Sequence, residues 1–389
     1  MTGPASAFAT SNSPQRSAIL MGYYGVNNLG DELMLYCLRR WLESKNIGIT
    51  VLSEAAAHVA QTHRVKAEQN YALCGQFDIV SSWIYGRGLR LIPQIMAHDL
   101  FLAGGGDIIR VNTGWPTFLF QVEKLILSVL LGKPVYLINV GISRPRTWYG
   151  RAILKWLIPR CTGILARDHR TINMCREYGS QPNSLEFTPD IVFSLPRFVP
   201  PRSTVQSNTL IVALHGRPNI YQQFNLNAAR LRILANALDE LIEAEGLRVR
   251  FLASQVSERE VDDHDMHRAV LCYMRHAGKA DLIPWTADPQ TISDLFASTR
   301  FVIAMRLHAA ILAAAYKVRC VVLPYDSKVL EFARIARNVH IAGPATLDDS
   351  AWTRSLLANA LHGPAPHSPV SGVWTEMTPT AETEVAGAA

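Results

Sequence analysis

The sequence lacks an uninterrupted apolar stretch long enough to cross a bilayer. Its most apolar long window, residues 118–140, contains Glu123 and Lys124, whereas a spanning helix needs about 20 predominantly apolar residues. Residues 1–15 are small and polar, without the basic segment and apolar core of a secretion signal. We therefore expect a cytoplasmic protein.

The sequence also lacks runs of like charge. With 38 Lys and Arg against 32 Asp and Glu, the formal net charge is +6, and the basic residues are scattered along the chain. This distribution predicts no nucleic-acid partner. A diffuse positive balance suits small anionic ligands, and it is compatible with a peripheral position at the inner face of an anionic membrane.

Cysteine is scarce, and no two cysteines have C-x-x-C spacing. The six are Cys37, Cys74, Cys161, Cys175, Cys272 and Cys320. Most lie in apolar segments, which predicts reduced core residues and argues against a disulfide framework or a zinc site. His264 and His267 stand among three aspartates, but their charged, helical pattern predicts a solvated face. We expect neither a metal nor a cofactor.

At 389 residues the chain exceeds what one hydrophobic core usually serves, so two domains are expected. Short apolar runs alternate with helical patterns, which is typical of parallel sheets built from β-α units. We predict an α/β fold of two Rossmann-like, doubly wound domains facing a cleft. The domains are residues 18–197 and 198–363, flanked by disordered segments at 1–17 and 364–389. The predicted strands are residues 18–21, 49–52, 78–81, 100–103, 135–140, 163–166, 210–214, 249–253, 282–283, 301–304 and 320–323.

The loop at residues 22–32 joins the first strand to a helix. Its glycines are not spaced as G-x-G-x-x-G, so no dinucleotide fingerprint is present. Asp31 and Glu32 lie in the first helical turn, where carboxylates would repel a phosphate but can accept a hydroxyl proton. We therefore predict that Asn28, Gly30, Asp31 and Glu32 bind a hydroxyl-rich acceptor. Simple capping of the helix is the alternative.

A glycine triplet, Gly104, Gly105 and Gly106, directly follows the strand predicted at residues 100–103 and precedes Asp107. Glycines at a strand end allow a ligand or another loop to approach the backbone closely. We assign these four residues to the acceptor side as well. A plain tight turn would explain the glycines nearly as well.

The segment Met305-Arg306-Leu307-His308 lies where an apolar strand gives way to an apolar helix. Such a turn offers free backbone N–H groups, the positive end of a helix dipole and a forked arginine, which together favour an anion. A solvated arginine and a capped histidine are the alternative. Cationic loops at 215–217 and 325–328 follow other strands of the same domain. Charge alone therefore places an anionic donor in the second domain and a polyhydroxyl acceptor in the first.

Together these motifs resemble the polysaccharide pyruvyl transferase family, whose members are similar to glycosyltransferases of the two-Rossmann (GT-B) type. The resemblance covers about residues 18–335 and depends on the order and spacing of six motifs. They are G-Y-Y-G…N-x-G-D-E at 22–32, the glycine triplet, Arg167-Asp168, Pro189-Asp190, M-R-L-H-A at 305–309 and Y-D-x-K-V at 325–329.

The resemblance implies transfer of a pyruvyl group from phosphoenolpyruvate onto two hydroxyls of one sugar in a polysaccharide or lipid-linked precursor. The products would be a cyclic ketal and phosphate. It implies that Arg306, the Leu307 backbone and His308 hold the donor phosphate, with Arg217 as a second arginine near the donor. His308 and Asp31 would be the catalytic residues, His308 stabilising the phosphate or supplying a proton and Asp31 accepting one.

Two features depart from the family pattern. His215-Gly216-Arg217 stands where relatives carry an arginine directly after the first strand of the second domain, which weakens the assignment of Arg217. Ser327 replaces the proline of Y-D-P-K-V, a change expected to affect loop rigidity more than chemistry.

Two other functions remain open on the sequence. A glycosyltransferase that uses a nucleotide sugar would need the same two domains and the same cationic second half. A non-catalytic saccharide-binding subunit is the other alternative, although the combination of Asp31, Arg306 and His308 argues against it.

Overall fold

A computed structural model of the chain describes residues 15–70, 88–109, 114–216, 226–256, 262–336 and 339–366. The chain divides into two compact units. Among the described residues, the first comprises those within 15–26 and 34–191, and the second comprises those within 27–33 and 192–366. Residues 27–33, which we had placed in the N-terminal domain, therefore group with the second unit.

The first unit is built on a seven-stranded parallel sheet with strand order β3-β2-β1-β4-β5-β6-β7. Its strands are β1 Arg16–Met21, β2 Ile47–Ser53, β3 Lys66–Gln69, β4 Leu100–Ile109, β5 Val135–Ile142, β6 Gly163–Ala166 and β7 Leu185–Phe187. The chain reverses its direction of travel across the sheet between β1 and β4, which pair in parallel. Ligands of open α/β sheets bind outside the carboxyl ends of the strands at such a switch point.

Helices of the first unit alternate with its strands. They are α1 Leu29–Ser44, α2 Ala56–His63, α3 Leu91–Met96, α4 Trp115–Leu130, α5 Trp148–Leu157 and α6 His169–Glu177. The first turn of α1 belongs to the second unit. Threonine and aspartate caps start two of these helices, because Thr147 Oγ1 accepts from Gly150 N (3.2 Å) and Asp168 Oδ1 accepts from Thr171 N (2.7 Å).

The second unit repeats the design with a six-stranded parallel sheet of order β10-β9-β8-β11-β12-β13. Its strands are β8 Thr209–Ala213, β9 Arg248–Leu252, β10 Ala280–Ile283, β11 Phe301–Ala304, β12 Arg319–Val322 and β13 His340–Ile341. Its helices are α7 Leu195–Phe198, α8 Ala228–Glu245, α9 Asp263–Leu271, α10 Pro289–Ser298, α11 Leu307–Ala315, α12 Ser327–Ala336 and α13 Ser350–His362. Here the switch point lies between β8 and β11.

The strand predictions are confirmed for ten of the eleven apolar runs, with ends shifted by a few residues. The eleventh, residues 78–81, lies outside the described residues. Three strands were missed: β3 is polar, and β7 and β13 have three and two residues. The predicted disordered N-terminus was wrong at residues 16 and 17, because Arg16 and Ser17 pair with Ile47 and Gly48.

We predicted that the glycine triplet follows the end of its strand. It lies inside β4 instead. Gly105 and Gly106 have positive φ angles of 76° and 83°, which only glycine adopts at little cost. A Cβ at Gly105 would lie 3.2 Å from the Tyr24 hydroxyl and 3.3 Å from Met34 Cβ. The Tyr24 hydroxyl donates to the Gly104 carbonyl. The close approach is therefore made by the protein's own side chains.

Burial of the cysteines agrees with the reading of reduced core residues for Cys37, Cys161, Cys175 and Cys320, whereas Cys272 is exposed. Cys74 lies outside the described residues. Within the described ranges, no helix is both long and apolar enough to cross a membrane.

Candidate functional site

The candidate site lies at the carboxyl edge of the second sheet, where β8 and β11 end side by side. The chain leaves β11 through Met305 and Arg306, whose backbone N–H groups both donate to the Ala213 carbonyl at 2.8 and 3.3 Å. These bonds fix the turn from β11 into α11. The backbone of Arg306 therefore lies at the switch point of this sheet, where open α/β sheets bind ligands.

Helix α11 begins directly after Arg306, which is its N-cap residue with φ −79° and ψ 131°. The side chain of Arg306 makes no capping hydrogen bond to this helix. The first N–H groups of a helix carry partial positive charge and have no partner within the helix. The start of α11 therefore adds positive potential to that of Arg306.

The guanidinium of Arg306 is held by the carboxylate of Asp263, the first residue of α9. Arg306 Nε donates to Asp263 Oδ2 at 2.9 Å, and Nη2 donates to Oδ1 at 2.5 Å. The exposed fractions of the two side chains are 11% and 0%. Burial by itself lowers the pKa of Arg306, but the charge and hydrogen bonds of Asp263, with Tyr325 adding to them, outweigh burial and raise it. Arg306 is therefore a fixed cation.

The same carboxylate also joins three loops. Its Oδ1 accepts from Gly216 N at 2.8 Å, and its Oδ2 accepts from Ser254 N and Gln255 N at 3.0 and 2.9 Å. Gly216 follows β8, and Ser254 and Gln255 follow β9. Asp263 thus ties the ends of β8 and β9 to the arginine that follows β11.

The prediction of a solvated face around residues 262–267 was wrong for Asp263 and His267, which are both fully buried. His267 Nε2 accepts from Leu214 N at 3.1 Å, so its proton is assigned to Nδ1. Burial, together with the neighbouring His264 and Arg306, lowers the pKa of His267 to about 3. His267 is therefore neutral at physiological pH. Across the described residues, no group of three or more His, Cys, Asp or Glu is arranged to hold a metal.

Residues 27–33, here called the 27–33 segment, lie against the loop that follows β9. Leu29 N donates to Ser254 O at 2.7 Å, and Val256 N donates to Asn27 O at 3.3 Å. Asn28 Nδ2 donates to Gln255 Oε1 at 2.7 Å. The segment is therefore bonded to the same loop whose N–H groups bind Asp263.

Asn28 also caps α1. Its Oδ1 accepts from Gly30 N at 3.0 Å and from Asp31 N at 3.3 Å, as an N-cap residue does. The alternative considered for this helix was capping by Asp31 and Glu32, whereas the residue observed to cap it is Asn28. Glu32 is buried, with 1% of its surface exposed.

The ring of His308 packs directly against Gly30. A Cβ at Gly30 would lie 1.8 Å from His308 Nδ1 and 2.3 Å from its Cγ, far inside van der Waals contact. Only glycine therefore allows this ring position. The glycine of N-x-G-D-E and the histidine of M-R-L-H-A are in contact, although we had placed them on opposite sides of the site.

One residue of the other cationic loops predicted for this domain, Tyr325, is observed to interact with Arg306. The rings of His215 and Tyr325 are 4.8 Å apart, and Tyr325 hydrogen bonds to Arg306. Lys328 Nζ lies 3.9 Å from Asp326 Oδ2. Arg217 lies outside the described residues.

In the first unit, Asp107 belongs to an ion cluster at the carboxyl ends of β4 and β6. Arg167 Nη2 donates to Asp107 Oδ1 at 2.7 Å, and Arg167 Nη1 lies 3.4 Å from Asp190 Oδ2. A Cβ at Gly141 would lie 2.4 Å from Asp107 Oδ1, so glycine at the end of β5 makes room for this carboxylate. The motifs Arg167-Asp168 and Pro189-Asp190 thus meet Asp107 in one cluster.

The polysaccharide pyruvyl transferase family matches residues 28–327, a range that includes residues of both units and contains Arg306, Asp263, His308 and Gly30. The chain belongs to the polysaccharide pyruvyl transferase family. This confirms the resemblance read from the motifs. Membership places the chain among the transferases of polysaccharide biosynthesis.

Solved structures of the same fold include nucleotide-sugar enzymes. The UDP-GlcNAc 2-epimerase of Methanocaldococcus jannaschii is 13% identical, with a TM-score of 0.62 over 92% of this chain and 96% of that one. A glycosyltransferase of Rickettsia africae is 10% identical, with a TM-score of 0.55 over 90% and 88%. At such identities the likeness concerns the fold alone, and it confirms two Rossmann-like domains of the GT-B type. No curated protein sequence matches the chain.

Loss of the Asp263 charge should destabilise the protein strongly, because it leaves Arg306 buried without its counter-ion. We expect Asp263→Asn to lower the free energy of unfolding by roughly 3–5 kcal/mol, measured by urea denaturation. The control is Asp265→Asn on the same helix, whose exposed pair with Arg268 contributes about 0–1 kcal/mol. Equal losses in the two variants would contradict the assigned role of Asp263.

Proposed function

We propose that the protein transfers a pyruvyl group from phosphoenolpyruvate onto two hydroxyls of one sugar in a polysaccharide or glycolipid precursor, forming a cyclic ketal and releasing phosphate. The observation that carries the proposal is Arg306, fixed by Asp263 at the start of α11 in a chain of this family. A phosphorylated donor needs this kind of fixed positive charge.

The donor side is assigned to Arg306, Leu307 and His308. Arginine and the N–H groups of a helix start both bind phosphate oxygens. Arg306 donates to Asp263 through Nε and Nη2. It therefore acts on the donor through its charge and through N–H groups that Asp263 does not bind. The Leu307 N–H at the start of α11 provides a hydrogen bond.

The reaction proceeds in two additions to C2 of phosphoenolpyruvate. A sugar hydroxyl attacks C2 while C3 takes up a proton, which gives a tetrahedral centre carrying the phosphate. The C2–O bond to phosphate then breaks, and its electron pair leaves with the phosphate. The second hydroxyl attacks C2 and loses its proton, which closes the ketal. Each hydroxyl loses one proton; the equivalent of one is gained at C3, and the other ends on the released phosphate.

Two residues of the second unit are assigned to these proton transfers. His308 supplies a proton or stabilises the departing phosphate, and Asp31 accepts a proton from the sugar hydroxyl. Asp31 follows Gly30, and Gly30 contacts the His308 ring. Asp31 is therefore one residue away from the contact with His308. Asp107 of the first unit is assigned to acceptor binding.

Removal of His308 should abolish transfer without unfolding the protein. We expect the wild type, incubated with phosphoenolpyruvate and a panel of lipid-linked or aryl-tagged sugars, to give a pyruvylated product by mass spectrometry. We expect His308→Ala to give none. His362→Ala, at an exposed histidine paired with Glu245, is the control. Normal turnover by a folded His308→Ala variant, or melting-temperature gains with nucleotide sugars but not with phosphoenolpyruvate, would overturn the proposal.

A methyl group at Gly30 should disturb catalysis through the His308 ring. We expect Gly30→Ala to reduce kcat at least about tenfold, since misplacing a catalytic group by about 1 Å can cost 100-fold. The unfolding midpoint should change little, because the ring can rotate away and alanine is favoured in helices. The control is Gly278→Ala, where an added Cβ meets no atom within 4 Å. An unchanged kcat in Gly30→Ala would separate His308 from the chemistry.

A further inference from the structure

Helix α5 in the first unit presents a basic and aromatic face to solvent. The inner side of the helix carries the buried residues Gly150, Leu154 and Leu157. Trp148, Arg151 and Lys155 are exposed. Their spacing of three, four and seven residues places them on one side of the helix. Helix α5 is therefore amphipathic, but its outward side carries an aromatic residue among cations.

Trp148 is the most unusual member of this face. Its exposed fraction is 76%, although tryptophan is usually highly buried. Its ring meets Tyr149 edge-on at 6.0 Å, and Tyr149 in turn lies 6.2 Å from Phe118. The indole is thus backed by a packed aromatic neighbour and faces outward.

The charged residues that lie near Trp148 in the sequence are all basic. Residues 143–160 contain five basic residues and no acidic one. They are Arg144, Arg146, Arg151, Lys155 and Arg160, and all five are exposed. Arg144 pairs with Glu177, whereas Arg160 lies over the Trp156 ring at 4.6 Å. The formal charge of residues 143–160 is therefore +5, whereas the whole chain carries only +6.

We propose that the face formed by Trp148, Arg151 and Lys155, here called the α5 face, docks on an anionic lipid surface. Tryptophan prefers the boundary between headgroups and acyl chains, and basic residues beside it are attracted to anionic headgroups. Lysine and arginine keep their charges among the headgroups while their stems cover apolar surface. Because the apolar side of α5 is buried in the protein, the exposed Trp148 indole is the group that enters the boundary.

An acidic protein or a nucleic acid would also be attracted by the charge. We favour the lipid surface because the indole of Trp148 is exposed in the first turn of the helix and tryptophan is enriched at membrane–water boundaries. The lipid surface accounts for both features, since the indole enters the boundary and the cations meet the headgroups. This inference does not depend on the proposed chemistry, because lipid binding needs no turnover.

The test is sedimentation of the full chain with vesicles of phosphatidylcholine and phosphatidylglycerol in equal parts, compared with phosphatidylcholine alone. We expect binding to the anionic vesicles only, weakened by added salt. Arg151→Gln with Lys155→Gln should reduce the binding constant about 30-fold, since each basic residue near an anionic surface contributes about fivefold. Trp148→Ala should reduce it at least about tenfold.

The matched control is Arg202→Gln with Lys279→Gln, which removes the same charge from exposed positions of the second unit. This variant should bind like the wild type. Equal loss in the control, equal binding to neutral vesicles, or binding to duplex DNA but not to vesicles would overturn the proposal. A phosphoenolpyruvate assay without lipid should be unaffected by the α5 variants, so failure of docking and failure of the proposed reaction are distinguishable.

Discussion

The buried ion pair between Asp263 and Arg306 is the interaction on which the candidate site depends. Two charges removed from water are costly unless their hydrogen bonds are satisfied, and here one carboxylate accepts from the arginine and from three backbone N–H groups. Such a pair adds little stability compared with an apolar core. Its value lies in holding a cation at one place and in one orientation, which a donor site for an anion requires.

The two helix starts near this pair have different environments. Helix α1 is capped by Asn28 and bonded to the loop after β9, so its first turn is a structural support. Helix α11 follows Arg306, whose side chain bonds to Asp263 and does not cap the helix, so the positive end of the helix dipole lies beside the arginine. The Gly30 contact with His308 joins the two helices. In the site that we propose, the 27–33 segment thus adjoins the donor residue His308, although its carboxylates suggest the acceptor side.

Strands and helices were predictable where apolar runs are local and long enough, as at residues 135–140 and 301–304. Polar β3 carries no such signal, because Lys66–Gln69 forms a strand only through pairing with β2. The role of Asp263 depends on Arg306, 43 residues away, and the place of Asn28 depends on Gln255, 227 residues away. Spacing along the chain identifies the residue types of such a site, but burial and pairing of charges are decided by contacts that the sequence does not display.

The central claim is that Asp263 fixes Arg306 for a phosphorylated donor, and a double-mutant cycle in phosphoenolpyruvate affinity tests it most directly. Calorimetric titration would compare the wild type, Asp263→Asn, Arg306→Gln and the double variant. If Asp263 acts through Arg306, Asp263→Asn weakens phosphoenolpyruvate binding in the wild type and has no further effect once Arg306 is replaced. Equal weakening in both backgrounds, or no binding by the wild type, would contradict the account.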